Sequence, residues 1–477
     1  MPDSDVTGTG PGNRTEAGRV DAGRVDTGRV DDPSAGRGIP RDALHSRGYL
    51  VLLLTSGLLG IPLSLAAFGF LVAVHELEHV VWHDLPSALG HTEPPAWWPI
   101  LTIGVAGALV ALAIRQLPGH GGHVPVAGLG AGATPPVELP GVVLAAAASL
   151  VGGAVVGPEA PLIAIGSGLA LLAVRRSRMG SDATASTLVA AAGSAAAISA
   201  IFGNPLVAAV IFLEVLGLAR RQLMLVVLPC LLSSGVGALL FTGLGRWTGL
   251  EIGALAIPDL DPVRLALVDI AYAVPLAFVV AIGTWVVYAV GRRTARLAET
   301  HVVATTVGAG LVAGAAACAY ALVTGRSPAE VALSGQATLP ELASDPNAWS
   351  SGALVALLGC KAIAYAACLG TFRGGPVFPA LVLGAVIGVL AASVLPGLTL
   401  LSALAIGMAA GMAVTGLPVT SVVLVVMLLG DSAAGQMPVV ILAVVVALVV
   451  EELLTSRVRS TRPQQAGHSS APTGALS

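Results

Sequence analysis

Five apolar runs, near Tyr49–Val74, Pro99–Ile114, Gln222–Leu244, Ala266–Val290 and Val439–Val450, decide what this chain can become. They sit at or near the length that carries a helix across a bilayer, about 20 residues. The shorter ones fit tilted or re-entrant pieces shielded by neighbours. Backbone in hydrocarbon must satisfy its own N–H and C=O groups, so such runs fold as helices. With 55% hydrophobic and 11% charged residues over 477 positions, the chain carries too few charges to cover a soluble globule. Its 59 glycines suit helices packed closely in lipid, where small residues let backbones approach. The expected fold is an all-α polytopic membrane protein.

One stretch inside this frame carries chemistry. Gly157-Pro158-Glu159-Ala160-Pro161, running on to Gly166, holds the only carboxylate between Glu138 and Asp182. Gly-Pro followed by Pro161 predicts a sharp break and then the first turn of a new helix, where proline loses no intrahelical bond. Glu159 then stands at the positive end of a helix dipole at membrane depth. Helix starts bind anions, and an ionisable side chain so placed is a functional candidate. The frame recurs at Gly375-Pro376-Val377-Phe378-Pro379 with Gly384. A second pair follows in the same order, Gly203-Asn204-Pro205 with Gly217 and Gly416-Leu417-Pro418 with Gly430. Interrupted hydrophobic segments at matching places in two halves mark a duplicated transporter fold with its site between the repeats. Val377 stands where Glu159 does and Met427 where Glu214 does, so the carboxylates occur once.

The expected domains are a disordered tail over 1–47, a membrane domain over 48–455 (repeats about 48–247 and 264–455) and a disordered tail over 456–477. The first tail is polar and repeats Ala17-Gly18-Arg19-Val20-Asp21 at Ala22 and Thr27. Such a tract cannot bury enough to fold, reads as a spacer and is no signal peptide. No nucleotide-sensing module is expected after Ser456. Arginine clusters at 175–178, 220–221, 292–296 and 457–459 place those loops, and both termini, in the cytoplasm. The links Glu251–Val263 and Gly325–Trp349 would face outward, in the cell membrane. Cys230, Cys318, Cys360 and Cys368 lie in apolar segments without C-x-x-C spacing and read as core residues. No cofactor, metal or nucleic-acid partner is expected.

Gly157-Pro158-Glu159-Ala160-Pro161 resembles the G-[K/R]-E-G-P stretch of the CLC family of chloride channels and chloride/proton exchangers. Phe202-Gly203-Asn204-Pro205-Leu206 through Glu214 resembles that family's F-N-A-P-L-A-G-x-x-F-x-x-E segment. Lys361, Gly370 and Gly374-Gly375-Pro376-Val377-Phe378-Pro379 resemble its helix ending in G-G-x-F-x-P. The matches keep family order and span most of Tyr49 to Leu454. The resemblance implies an inverted repeat with broken and re-entrant helices, and a homodimer with one anion path per subunit. It makes Glu159 the gate. An ionised carboxylate can take the place of a halide at a helix start, and protonation removes its claim on that place. Backbone groups at Gly157, Ala160, Pro161, Val377 and Phe378 would hold chloride or a related small anion, binding it weakly enough to release it.

Four departures bear on mechanism. Pro158 and Ala160 replace the basic residue and glycine flanking the glutamate. The family's G-S-G-I-P loop becomes Gly119-His120-Gly121-Gly122-His123-Val124-Pro125, which makes His120 and Gly121 anion-binding candidates and leaves open whether His120 or His123 faces the path. No tyrosine lies beyond Tyr365 to reach a central anion from the last helix. Val215 stands where exchangers carry an inner proton glutamate, just after Glu214. A valine holds no proton, so passive conductance gated by Glu159 is favoured over coupled exchange through Glu214 or the histidines. Glu214 has a structural reading beside Arg220 and Arg221, and Lys361 reads as snorkelling or bonded to a carbonyl.

His75-Glu76-Leu77-Glu78-His79 matches H-E-x-x-H, the zinc-protease helix signature. It needs a third ligand, for which Asp431 is the candidate, and it explains nothing of the duplication. The expectation is a transport protein and not an enzyme.

Overall fold

The structure, a computed structural model, describes residues 46–130, 132–216, 220–248, 257 and 263–460. Most of both expected tails and most of the link Glu251–Val263 lie outside the described residues. Fourteen helices longer than ten residues are described. They are α1 (Arg47–His79), α2 (Trp98–Gln116), α3 (Leu139–Val151), α4 (Glu159–Val174), α5 (Ala183–Phe202), α6 (Pro205–Leu216) and α7 (Arg220–Thr248). The second half adds α8 (Leu267–Thr300), α9 (Val302–Thr324), α10 (Ser351–Leu369), α11 (Val377–Val394), α12 (Leu400–Ala413), α13 (Pro418–Leu428) and α14 (Ala433–Ser460). Two boundaries move. Arg47 opens α1, with Ser46 Oγ accepting from Tyr49 N–H at 3.2 Å, and α14 runs past 455 to Ser460. A polar cap can thus start a helix inside sequence that looks like tail.

Among the described residues nine helices are long and apolar enough to cross a membrane, while α3, α4, α6, α12 and α13 are shorter. The seven helices of each half follow one another in matching order. α4 packs on α5 as α11 packs on α12, and α1 on α7 as α8 on α14. α2 meets its own counterpart α9, and α6 meets α13. Helices that pack on their own counterparts are what a pseudo-twofold axis between the halves requires.

Glycines set how closely this layering can close. A Cβ on Gly166 would fall on the carbonyl oxygen of Gly193, and one on Gly384 on that of Gly407. The α4–α5 and α11–α12 crossings are therefore backbone against backbone, by the same device in each half. α5, α11 and α12 form the interior: every residue from Leu401 to Ala413 is buried. Leu54 and Leu58 of α1, Leu239 of α7 and Val449 of α14 stay exposed, a greasy rim suited to lipid.

The link Gly325–Trp349 is an ordered strap. Arg326 pairs with Glu330 at 2.9 Å and lies 3.7 Å over the Trp349 ring, and the Tyr320 hydroxyl donates to Glu330. Lys361, buried in α10, reaches the strap from below. Its Nζ donates to the carbonyls of Glu330, Val331 and Ala332 at 3.0, 3.2 and 3.4 Å. With three carbonyls as partners, the ammonium ties the strap to α10 and has no donor left for an anion.

Candidate functional site

The two Gly-Pro motifs meet. Gly157 N–H donates to Gly375 O at 2.7 Å, and Gly375 N–H donates to Gly157 O at 2.5 Å. Residues at equivalent places in the two halves thus exchange both bonds as an antiparallel pair. The chain then turns through Pro158 into α4 and through Pro376 into α11, so two helix starts face one site. The Tyr365 hydroxyl donates to Pro376 O at 2.8 Å and meets the Tyr288 hydroxyl at 3.2 Å, pinning the second turn.

Glu159, the first residue of α4, is fully buried. Its Oε1 accepts from Phe378 N–H at 2.9 Å, one of the free first-turn donors of α11. Oε2 is buried with no partner. Gly157 and Gly375 make the room, since a Cβ on either would fall on the carboxylate. The Phe378 ring stacks on Phe202 with centroids 5.6 Å apart, closing one side. The carboxylate thus lies where two helix starts offer backbone N–H donors, the position at which helix termini favour a negative charge. Protonated, it would keep its volume and lose its charge.

A cavity of about 310 Å³ lies beside this point. Ala160 and Pro161 of α4, Gly121, Gly122 and His123 of the Gly119–Pro125 loop, and Arg373 with Gly374 line it. Arg373 is buried, and its guanidinium donates to the carbonyls of His120, Thr371 and Phe372.

Residues 106–452 match the model of the voltage gated chloride channel family. The chain belongs to that family. The CLC chain is 29% identical over 357 residues, 73% of its length and 81% of theirs, to proteins named "Putative ion-transport protein YfeO" from Escherichia coli (strain SMS-3-5 / SECEC) and Shigella boydii serotype 4 (strain Sb227). Its fold resembles that of a slow cyanobacterial Cl-/H+ antiporter (TM-score 0.67, 17% identity, 87% of this chain and 98% of that one). It also resembles a CLC-type fluoride/proton antiporter (0.64, 17%, 85% and 96%) and a eukaryotic CLC transporter (0.66, 19%, 86% and 73%). This is an anion transport family and not an enzyme family.

Several expected contacts of this CLC protein fall differently. Gly157 has no N–H for an anion, because Gly375 O takes it, and Pro161 has none by its chemistry. The His120 ring turns away from the cavity, with Nδ1 3.1 Å from Ile114 O; its carbonyl is what meets Arg373. The cause is the backbone, since His120 sits at φ +50 between two glycines of positive φ. Gly121 is buried against Arg373, while Ala160, Val377 and Phe378 are buried at the two helix starts.

Glu214 is engaged in capping. Its Oε1 accepts from Val419 N–H at 2.5 Å and its Oε2 from Thr420 N–H at 2.8 Å, so α6 supplies the start of α13 with a carboxylate. The equivalent residue Met427 reaches back to Asn204 Nδ2 at 3.0 Å, beside the start of α6. Val215 is half-buried against the core. The side chains of Arg220 and Arg221 lie outside the described ones. Glu214→Ala should lower the thermal midpoint in detergent, a loss of about 1–2 kcal/mol typical of a helix cap, and leave the pH response of anion flux as in the parent. An unchanged midpoint would show that the cap contributes nothing.

At the H-E-x-x-H stretch, α1 passes into a wider turn over Val80–Asp84. His79 stacks on His83 at 4.9 Å and lies 3.4 Å from Asp84. Among the described residues no group of three His, Cys, Asp or Glu is placed to hold a metal; the Asp431 side chain lies outside them.

Arg373 is the site residue that sequence reasoning missed. A signal was available: it is the only charge between Lys361 and Asp431, just as Glu159 is the only one between Glu138 and Arg175.

Proposed function

We propose that this CLC protein conducts chloride or a related small anion through the meeting point of α4 and α11, with Glu159 as its gate. The observation that carries this is the Glu159 carboxylate on the Phe378 N–H, with its second oxygen bare. A permeating anion takes that place among the donors at Ala160, Val377 and Phe378 when the carboxylate is protonated or swings away. Partial charges on amides suit a conducted ion, because binding must admit it and still release it. Conduction without proton coupling is supported by Val215 at the inner position and by the two amides that hold Glu214. The working unit is a homodimer in the cell membrane, one path per subunit and both termini cytoplasmic, in keeping with the family resemblance and the arginine clusters.

Coupled exchange is the second reading, favoured by the proton antiporters that share the fold. Proteoliposomes decide between them. An imposed chloride gradient should dissipate without moving protons uphill; uphill proton movement would replace the channel reading with exchange.

A further inference from the structure

The cavity beside α4 has a feature the gate does not account for. Arg373 is 8% exposed and forms no ion pair with a carboxylate among the described residues. Its Nε and Nη2 donate to His120 O at 3.4 and 3.2 Å, and Nη1 donates to Thr371 O at 3.1 Å and Phe372 O at 3.4 Å. Of five N–H groups these use four, leaving one on Nη2. Carbonyls solvate a guanidinium but do not neutralise it, and a buried cation without a counter-charge is costly.

We propose that this cavity is an anion-recruiting vestibule in which Arg373 binds a small hydrated monovalent anion before it reaches Glu159. The proposal rests on the reading of the chain as an anion pathway. Ala160, Arg373 and Gly374 line the cavity, Ala160 follows Glu159 and Gly375 touches its carboxylate, so the vestibule ends one residue from the gate. At about 310 Å³ it holds an ion with several waters, each water taking roughly 30 Å³. Gly121 lets the loop close on the guanidinium: a Cβ there would stand 3.3 Å from Arg373 Nε. The other titratable groups of the cavity are His123 and Glu138. Glu138 is half-buried against Gly119 and makes no ion pair with Arg373, so it leaves the guanidinium uncompensated.

Bromide tests the site directly. Crystals of the parent protein soaked in bromide should show anomalous density within ion-pair reach of the Arg373 guanidinium. An empty vestibule overturns the proposal. So does density spread equally over surface arginines, which means an adventitious ion only. In proteoliposomes, Arg373→Gln should raise the half-saturating anion concentration of flux several-fold while its pH response stays that of the parent, and Arg373→Lys should recover part of the loss. A half-saturation equal to the parent's overturns the proposal. If Arg373→Gln fails to fold, the bromide density decides alone. A parent that binds bromide there yet passes no anion overturns the transport reading and leaves the binding site standing.

Discussion

Replacing Glu159 by glutamine should keep anion flux and abolish its dependence on pH. In the parent, the carboxylate occupies the start of α11 through Oε1 and the Phe378 N–H. Protonation cancels the charge that holds it there, so parent flux should rise as pH falls. A hydrogen bond to a charged acceptor is worth about 1.5–3 kcal/mol. That corresponds to roughly ten- to hundredfold between closed and open populations, each 1.4 kcal/mol being about a factor of ten. Glutamine has nearly the same shape but cannot ionise. Glu159→Gln at neutral pH should therefore match the parent at its acidic maximum, and Glu159→Ala, which vacates the place, should equal or exceed it. Flux from proteoliposomes across a pH series measures both. Parent-like pH dependence in either variant would remove Glu159 from the gate.

Much of this site is legible in the chain because its signals are local. A lone carboxylate in an apolar run, flanked by Gly-Pro and Pro161, marks a helix start at membrane depth without any knowledge of what it faces. The duplication is legible because Gly157 to Gly166 and Gly375 to Gly384 share one spacing, and a broken helix needs the same breakers in both halves. What escapes is whatever depends on partners far along the chain. Arg373 gains its meaning from the carbonyl of His120, more than two hundred residues away. For Lys361 the sequence suggests snorkelling or a carbonyl partner, and what it withholds is that the strap supplies three of them. The Gly119–Pro125 loop misleads for a related reason. Three glycines there take positive φ and the chain between them turns the His120 ring outward, and no residue-by-residue analogy predicts that rotation.

A single methyl group placed twice in the same helix region should have two different effects. A Cβ on Gly375 would overlap the carboxylate of Glu159, the far end of a flexible side chain. That end can move, so Gly375→Ala should fold and should drive the carboxylate from its place. Flux would then lose most of its pH dependence although no titratable group has changed. A Cβ on Gly384, two turns into α11, would overlap the backbone of Gly407 instead. Backbone in a packed crossing cannot swing aside, and overpacking of this kind costs about 1–3 kcal/mol or more. Gly384→Ala should therefore lower the thermal midpoint and the yield of monodisperse protein. Gly308→Ala on α9, where an added Cβ meets nothing within 4 Å, serves as the control and should behave as the parent. If Gly375→Ala retains the parent's pH profile, the carboxylate does not sit where the gate requires, because a methyl group and an ionised Glu159 cannot share that space.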